Sequence, residues 1–191
     1  IYLDNNYSIF EIMKTLANQS FKNKKVLIRV DFNVPLNDKL QVVDNTRIYA
    51  AKPTIDHVIN SGGSCILISH MGRPEGFSSK LSLKNIVSEV SKVIDRPVDF
   101  YSNCVGEEAE NKSNSLKPGQ ILLLENLRFY KEESEGDIDF ARKLSKHGSV
   151  FINDAFGSVH RAHASTTIIS RFFNNNKFFG KLLEKEVLAI D

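Results

Sequence analysis

The apolar residues of this chain form short, unbroken runs, separated by longer segments in which they recur at helical intervals. Four runs are rich in valine, isoleucine and leucine: VLIRV at 26–30, SCILIS at 64–69, ILLLE at 121–125 and SVFIND at 149–154. Continuous apolarity over four to six residues is typical of strands buried on both faces, as in a parallel sheet. The pattern therefore predicts a mainly parallel sheet at the centre of the fold.

Three segments between these runs have helical spacing, at 47–60, 82–94 and about 137–148. Asp44 and Asn45 precede the first of them and are candidate helix caps. Strands that alternate with helices imply right-handed crossovers, with helices on both faces of the sheet. We therefore predict an α/β fold: a doubly wound, mainly parallel sheet in a Rossmann-like three-layer sandwich.

The pattern changes after residue 154. Four phenylalanines crowd into 172–179, and 181–191 again has helical spacing. Two interpretations are open: this tail packs on the same core, or part of it packs against something outside the chain. The charged stretch at 131–139 is interpreted as a solvated turn and helix start.

Composition narrows the class of protein. With 191 residues, 41% hydrophobic and 25% charged, the chain is neither disordered, collagen-like nor a disulfide-rich miniprotein. A net charge of +2 gives no general reason to expect a nucleic-acid or membrane-surface partner. The chain has only two cysteines, Cys65 and Cys104, and no apolar run approaches the ~20 residues of a membrane helix. Both observations favour a cytoplasmic protein with reduced thiols.

Polar residues collect where each predicted strand ends. In an open parallel sheet, ligands bind outside the carboxyl ends of the strands, so these residues are candidates for a site. The set is Arg29, Asp31, Asn33, His70, Gly72, Arg73, Asn126, Arg128, Asn153, Asp154, His160, Arg161 and His163.

Arginine is concentrated at this edge. The chain has only eight arginines, and five lie at or near it: Arg29, Arg47, Arg73, Arg128 and Arg161. A guanidinium binds carboxylate or phosphate bidentately, whereas a lysine ammonium does not. The cluster suits a small polyanion. The alternative is that these arginines pair with Glu125, Asp31 or Asp154 and only hold loops.

Arg47 breaks a local rule, because it lies in the first turn of its predicted helix, where the dipole favours an acidic side chain. Such conflicts are tolerated chiefly at functional sites. His160 and His163 are spaced like metal ligands, but no third ligand stands at a recognisable spacing. A charged, anion-facing role or a hydrogen-bonded loop position is therefore preferred for them, and no metal is expected. The chain also lacks GxGxxG, a P-loop and GxSxG.

Five motifs, in order, resemble those of phosphoglycerate kinases: RVDFNVP at 29–35, DNTRI at 44–48, SHMGRP at 69–74, LLLENLRF at 122–129 and NDAFGSVHRAHAS at 153–165. The resemblance is to the N-terminal domain of that family and extends from about Lys24 to the end. Met71 stands where leucine is commoner, and 171–180 departs from the family pattern.

The resemblance implies binding of 3-phosphoglycerate or 1,3-bisphosphoglycerate. Asp31 and Asn33 would contact the glycerate portion. Arg47 would be catalytic and stabilise the phosphoryl group in transfer. The other substrate-binding residues would be His70, Arg73, Arg128 and Arg161, with Arg29, His160 and His163 in a basic patch nearby.

The resemblance also implies a division of labour. Residues 1–180 would form the substrate-binding domain, and 181–191 would begin the interdomain helix. A C-terminal domain absent from this chain would bind Mg²⁺ with ADP or ATP, so this chain alone would be inactive. The whole enzyme would be a glycolytic, cytoplasmic, monomeric transferase. The alternative is a stand-alone phospho-ligand or anion-binding module without nucleotide chemistry.

Overall fold

The computed structural model describes residues 2–3, 7–8, 15–16, 19–155 and 162–188, with the backbone alone at 2–3, 7–8 and 187–188. Its strands are β1 Tyr2–Leu3, β2 Tyr7–Ser8, β3 Lys25–Arg29, β4 Ser64–Ile68, β5 Asp99–Tyr101, β6 Ile121–Leu124, β7 Val150–Asn153 and β8 Lys177–Phe179. Its α-helices are α1 Thr46–Asn60, α2 Val87–Ile94, α3 Glu107–Asn114, α4 Lys131–Glu135, α5 Ile138–Ser145 and α6 Lys181–Leu188.

Six strands form one sheet in the order β5-β6-β4-β3-β7-β8, and every neighbouring pair is parallel. The short strands β1 and β2 pair antiparallel in a separate sheet. At the end of β3, Arg29 is level with Ile68 of β4 on one side and Asn153 of β7 on the other. The segments that follow these strands therefore leave the sheet at one edge. The predicted α/β architecture is confirmed.

Alternate residues of the central strands face opposite sides, and each side has its own apolar cluster. Val26 and Ile28 of β3 belong to the cluster that contains the buried faces of α1 and α2. Leu27 between them belongs to the cluster under α5. Both layers are therefore built on the same strands, which is why the strand sequences are apolar without alternation.

The phenylalanine-rich tail packs on this core. Phe178 joins the first cluster, and Phe173 joins the second and stacks on Phe151 of β7 with 5.5 Å between ring centroids. A short 3-10 helix at Ile168–Phe172 leads into a turn and then β8, which covers the edge of β7. Of the two interpretations of the tail, packing on the same core is confirmed for these residues.

Two predicted helix starts are confirmed by hydrogen bonds. Asp137 caps α5 by accepting from the Phe140 amide at 2.6 Å, and Ser82 accepts from Lys84 N at 3.2 Å. The segment after Ser82 begins as a 3-10 helix, Leu83–Ile86, before α2. Asn45 is the N-terminal boundary of α1 but makes no side-chain cap.

Several features differ from the sequence-based expectations, and the short strands β1, β2 and β8 are among them. β5 and α3 were not predicted: β5 has three residues, none of them buried, and α3 buries only Ala109 and Ser113, so neither has an apolar pattern. The stretch at 131–139 is not wholly solvated, because Glu133 in α4 is fully buried.

The start of α6 is held by the end of β7. Asp154 Oδ1 accepts from the amides of Leu182 and Leu183 at 3.0 and 3.3 Å, and Thr54 Oγ1 accepts from Lys181 N at 2.9 Å. A Cβ on Gly180 would lie 2.1 Å from Asp154 Oδ1. Glycine is therefore required where the chain passes the carboxylate.

Candidate functional site: the carboxyl edge of the sheet

Arg29 is the last residue of β3, and its guanidinium is completely buried. Nε donates to Ser165 Oγ at 2.9 Å, Nη1 donates to the Val30 carbonyl, and Nη2 lies 3.0 Å from His70 Nδ1. Burial lowers the pKa of Arg29, and the Glu133 charge opposes that shift. This arginine thus spans the edge from the segment after β7 to the residue that follows β4.

Glu133 holds Ser165, the serine that accepts from Arg29 Nε. Its Oε1 accepts from the Ser165 hydroxyl at 2.6 Å and its Oε2 accepts from the Ser165 amide at 2.9 Å. The Glu133 carbonyl also accepts from Ala164 N at 3.0 Å. A buried carboxylate and a buried guanidinium therefore compensate one another through a shared serine hydroxyl.

His70 lies two residues after β4 and is partly exposed. Burial, together with three nearby guanidinium groups and His163, lowers the pKa of its imidazole to about 3. Those groups belong to Arg29, Arg128 and Arg47. His70 is thus surrounded by cationic groups that disfavour a second proton on its ring.

Asp31 and Asn33 follow β3 and contact two different elements. Asp31 Oδ2 pairs with Arg47 Nη1 at the start of α1, and Oδ1 accepts from the Asn33 amide at 3.1 Å. Asn33 Oδ1 accepts from Gly72 N at 2.9 Å. Gly72 has φ +64°, a conformation that favours glycine. The contact with Asp31 relieves the conflict between Arg47 and the helix dipole.

Asn126, after β6, holds the loop after β4. Its Oδ1 accepts from Met71 N at 3.1 Å and from Arg128 N at 3.0 Å, while Nδ2 donates to the Met71 and Leu81 carbonyls. Glu125 beside it is buried and accepts from the Ser82 hydroxyl at 2.7 Å. The backbone that carries His70 and Arg128 is therefore positioned by buried polar side chains.

The structure brings most of the predicted residues to this edge. Arg73 is exposed in the loop after β4, Arg128 is partly exposed, and His163 is buried. The predictions for Arg161 and His160 lie outside the described residues. Of the three carboxylates considered as loop-holding partners, Asp31 pairs with Arg47, whereas Asp154 accepts from α6 and Glu125 from Ser82.

Sequence reasoning missed Glu133 and Ser165. Glu133 lies in a run of acidic residues that resembles a solvated surface, so local pattern contains no sign of its burial. Ser165 closes the last of the five motifs, and its place there was the one available signal. The contact between Glu133 and Ser165 could not be predicted from sequence spacing, because the two residues are 32 positions apart.

Cys65 and Cys104 are buried free thiols, and burial raises the pKa of both. Among residues 2–3, 7–8, 15–16, 19–155 and 162–188, no three His, Cys, Asp or Glu side chains are grouped to hold a metal ion. The side chains described at this edge suit an anion, because they offer hydrogen-bond donors and positive charge.

No helix in the described part of the chain is long and apolar enough to span a bilayer.

Comparison with known proteins gives a consistent result. A family model described as phosphoglycerate kinase matches residues 16–191. Phosphoglycerate kinases of Prochlorococcus marinus (strain MIT 9515) and Aquifex aeolicus are 47% and 45% identical, over 92% and 91% of this chain and 44% of each relative. The cytosolic enzyme of Triticum aestivum is 44% identical over 91% of this chain and 43% of its own length.

Solved structures agree. Phosphoglycerate kinase from Coxiella burnetii superimposes with a TM-score of 0.82 at 31% identity, over 93% of this chain and 44% of that one. The enzyme from Pyrococcus horikoshii OT3 superimposes with a TM-score of 0.83 at 32% identity, over 93% of this chain and 45% of that one. The chain spans less than half the length of the relatives it matches. It belongs to the phosphoglycerate kinase family.

Proposed function

We propose that this chain is the acceptor-substrate half of a phosphoglycerate kinase. In this proposal residues 1–180 bind 3-phosphoglycerate or 1,3-bisphosphoglycerate, and 181–191 begin a helix that leads to a nucleotide-binding domain outside the chain. That domain binds Mg²⁺ with ADP or ATP. The whole enzyme is a cytoplasmic monomer, and the isolated chain is inactive.

The observation that carries the proposal is the convergence of polar groups on one sheet edge. Arg47 reaches Asp31, Asn33 reaches Gly72, and His70 is in the electrostatic range of Arg47 and Arg128. These contacts join the segments after β3 and β4 with the start of α1. A small ligand with a carboxylate and a phosphate is recognised by such a set of guanidinium, amide and imidazole donors.

Each side chain has a role in the proposal. Asp31 and Asn33 orient the glycerate portion, and His70, Arg73, Arg128 and Arg161 bind its anionic groups. Arg47 stabilises the phosphoryl group during transfer. Arg29, His160 and His163 complete the basic patch around them.

Direct, in-line transfer of a phosphoryl group needs positioning and charge stabilisation more than an acid or base. The side chains at this edge supply those two requirements. Arg47 is half exposed, so its guanidinium can turn from Asp31 to an incoming anion. Mg²⁺, bound with the nucleotide on the other domain, supplies further charge neutralisation, and no residue described here is assigned to it.

The test is calorimetry of this chain with 3-phosphoglycerate and, separately, with Mg-ADP. We expect measurable heat of binding with the first and none with the second. Tight binding of Mg-ADP, or no binding of 3-phosphoglycerate, would contradict the proposal.

A second experiment separates half of a kinase from a stand-alone anion-binding module. The chain is fused to the portion of the Aquifex aeolicus relative that lies beyond the matched region. We expect ATP formation from ADP and 1,3-bisphosphoglycerate by the fusion and none by either part alone. A stably folded but inactive fusion would favour the module.

A further inference from the structure

Arg29 and His70 contact each other in a way that determines where the imidazole carries its proton. A guanidinium has only N–H donors and no acceptor, and it stays protonated in proteins. In the 3.0 Å contact between Arg29 Nη2 and His70 Nδ1, the imidazole nitrogen must therefore accept. A ring whose Nδ1 accepts is neutral and has its proton on Nε2.

We propose that the buried guanidinium of Arg29 holds His70 as a neutral imidazole protonated on Nε2. His70 then offers an anionic ligand a hydrogen-bond donor and no positive charge. Arg29 acts through His70 and is a positioning residue, because its completely buried side chain has no surface for a ligand.

The hydrogen bonds of Arg29 Nε and Nη1 fix the orientation of its guanidinium plane. Ser165 donates its single hydroxyl proton to Glu133 Oε1 at 2.6 Å, so its oxygen is left to accept from Arg29 Nε at 2.9 Å. Nη1 donates to the Val30 carbonyl. With Nε and Nη1 so engaged, Nη2 is directed at His70, and the guanidinium plane cannot rotate away without breaking buried hydrogen bonds.

The surroundings of His70 favour the same state. The charged and titratable groups that face it come from β3, the start of α1, the segment after β6 and the segment after β7: Arg29, Arg47, Arg128 and His163. All of these are cations or can become cations, so each disfavours imidazolium. Together with burial they lower the pKa of His70 to about 3, well below neutral pH.

A neutral His70 changes how charge is distributed at the site. The positive charge that attracts the ligand comes from arginines, while His70 contributes a hydrogen-bond donor with a fixed orientation. The identity of the anion rests on the function proposed above; the protonation state of His70 does not.

The direct test is a long-range ¹H–¹⁵N correlation spectrum of the ¹⁵N-labelled chain, which separates protonated from unprotonated ring nitrogens. The His70 signals are assigned by their loss in His70→Gln. We expect the Nε2-protonated pattern, unchanged from pH 5 to pH 8. A transition to imidazolium within that range, or a ring protonated on Nδ1, would overturn the proposal.

Ser165→Ala tests the anchor of Arg29. We expect the His70 signals of this variant to move toward a mixture of tautomers or to begin to titrate above pH 5. The matched control is Ser113→Ala, which also removes a buried hydroxyl, in this case one that lies 2.6 Å from His147 Nδ1. It should alter the His147 signals only. Unaltered His70 signals in a folded Ser165→Ala chain would contradict the role of Ser165 in orienting Arg29.

Ligand binding gives an independent readout. For 3-phosphoglycerate we expect affinity within about threefold of wild type for His70→Gln, which keeps an uncharged donor, and a loss of about 10- to 100-fold for His70→Leu. The ratio of wild-type to His70→Gln affinity should stay constant from pH 5.5 to pH 8. A ratio that rises steeply toward acid pH would mean that the imidazole gains charge and would contradict the proposal. If 3-phosphoglycerate does not bind at all, the proposed function fails, and the spectrum of the free chain still decides the state of His70.

Discussion

The positive charge of Arg47 at the start of α1 is affected in opposite directions by the helix dipole and by a nearby carboxylate. The helix dipole disfavours its charge there, and no acidic residue lies in the first turn to offset it. Asp31 supplies the missing negative charge from the loop after β3. Because the Arg47 side chain is 51% exposed, this contact is open to competition from an anion in solution.

Replacement of Arg47 by alanine should lower turnover far more than substrate affinity. If the guanidinium interacts most strongly with the phosphoryl group in transfer, its loss should reduce kcat by about 10²- to 10³-fold and raise KM by less than about tenfold. Steady-state kinetics of an active enzyme that contains this chain measures both values. Arg142→Ala is the matched control, since Arg142 is similarly exposed and pairs with Asp139 on α5. An unchanged kcat for Arg47→Ala would exclude the catalytic role.

Asp154 is a buried carboxyl group whose protonation affects folding. Burial raises its pKa to about 6, well above the ordinary value of about 3.9 for an aspartate, and hydrogen bonds from Thr54, Leu183 and Leu182 oppose this shift only in part. The folded state therefore binds the proton more tightly than the unfolded state does. The stability associated with this group is complete below about pH 4 and is lost as pH rises through about 6.

Asp154→Asn should remove that loss, because the amide keeps an acceptor for the α6 amides and does not ionise. Between pH 4 and pH 7 the free energy of unfolding of wild type should fall relative to this variant by roughly 2–3 kcal/mol. Urea unfolding at the two pH values measures the difference. Asp139→Asn, at an exposed position, serves as control. Parallel pH profiles for wild type and Asp154→Asn would contradict the assignment.

α6 illustrates how an element depends on contacts distant in sequence. Its first three amides donate to Thr54 and Asp154, which lie 127 and 28–29 residues away. Gly180 lets the chain pass against Asp154 and also donates to the Asn153 carbonyl at 2.8 Å. The close approach of the backbone to this carboxylate is therefore one of the contacts that position the helix relative to the sheet edge.

Gly180→Ala should displace the start of α6. The new Cβ would overlap Asp154 Oδ1, so either the carboxylate or the helix must move, at a cost of roughly 2–4 kcal/mol in the free energy of unfolding. Thermal or urea unfolding measures the loss. Gly119→Ala is the control: its φ is also unfavourable for alanine, at +87°, but nothing lies within 4 Å of the added Cβ, so a cost of about 1 kcal/mol is expected. Equal losses in the two variants would show that the close approach is unimportant.

Elements with a strong apolar pattern were predictable, and weakly patterned ones were not. The runs that became β3, β4, β6 and β7 are continuous and apolar, and the spacing in α1 is regular. β5 is a short strand at the edge of the sheet without buried residues, and α3 is almost entirely polar. β5 forms because β6 pairs with it, and Ser113 of α3 contacts His147, which follows α5. Neither contact can be predicted from the residues nearby in sequence.

At the scale of the whole molecule, the two apolar clusters share one sheet. The same strands contribute alternate residues to the layer under α1 and α2 and to the layer under α5. Loss of either layer exposes one face of every central strand to water. The two layers are therefore expected to unfold together.

Chemical unfolding should show a single transition for this reason. Far-ultraviolet circular dichroism reports the helices and sheet, and tyrosine fluorescence reports the surroundings of the five tyrosines in a chain without tryptophan. The two probes should give the same midpoint in urea, within experimental error. Separate midpoints would mean that one layer unfolds without the other.

The residue pattern along the chain was enough to predict the fold class, the central strands and the sheet edge at which polar residues collect; that ligands bind at this edge remains a prediction. This prediction was possible because buried strands and helices each produce a characteristic spacing of apolar residues over a few neighbouring positions. Parallel strands also place their carboxyl ends at the same edge of the sheet. Which side chains touch across that edge was decided only by tertiary structure. The contact between Arg29 and Glu133 through Ser165, and the resulting orientation toward His70, join residues up to 136 positions apart. Such contacts depend on how layers pack, and burial then sets the charge of each group, so neither could be read from spacing along the chain.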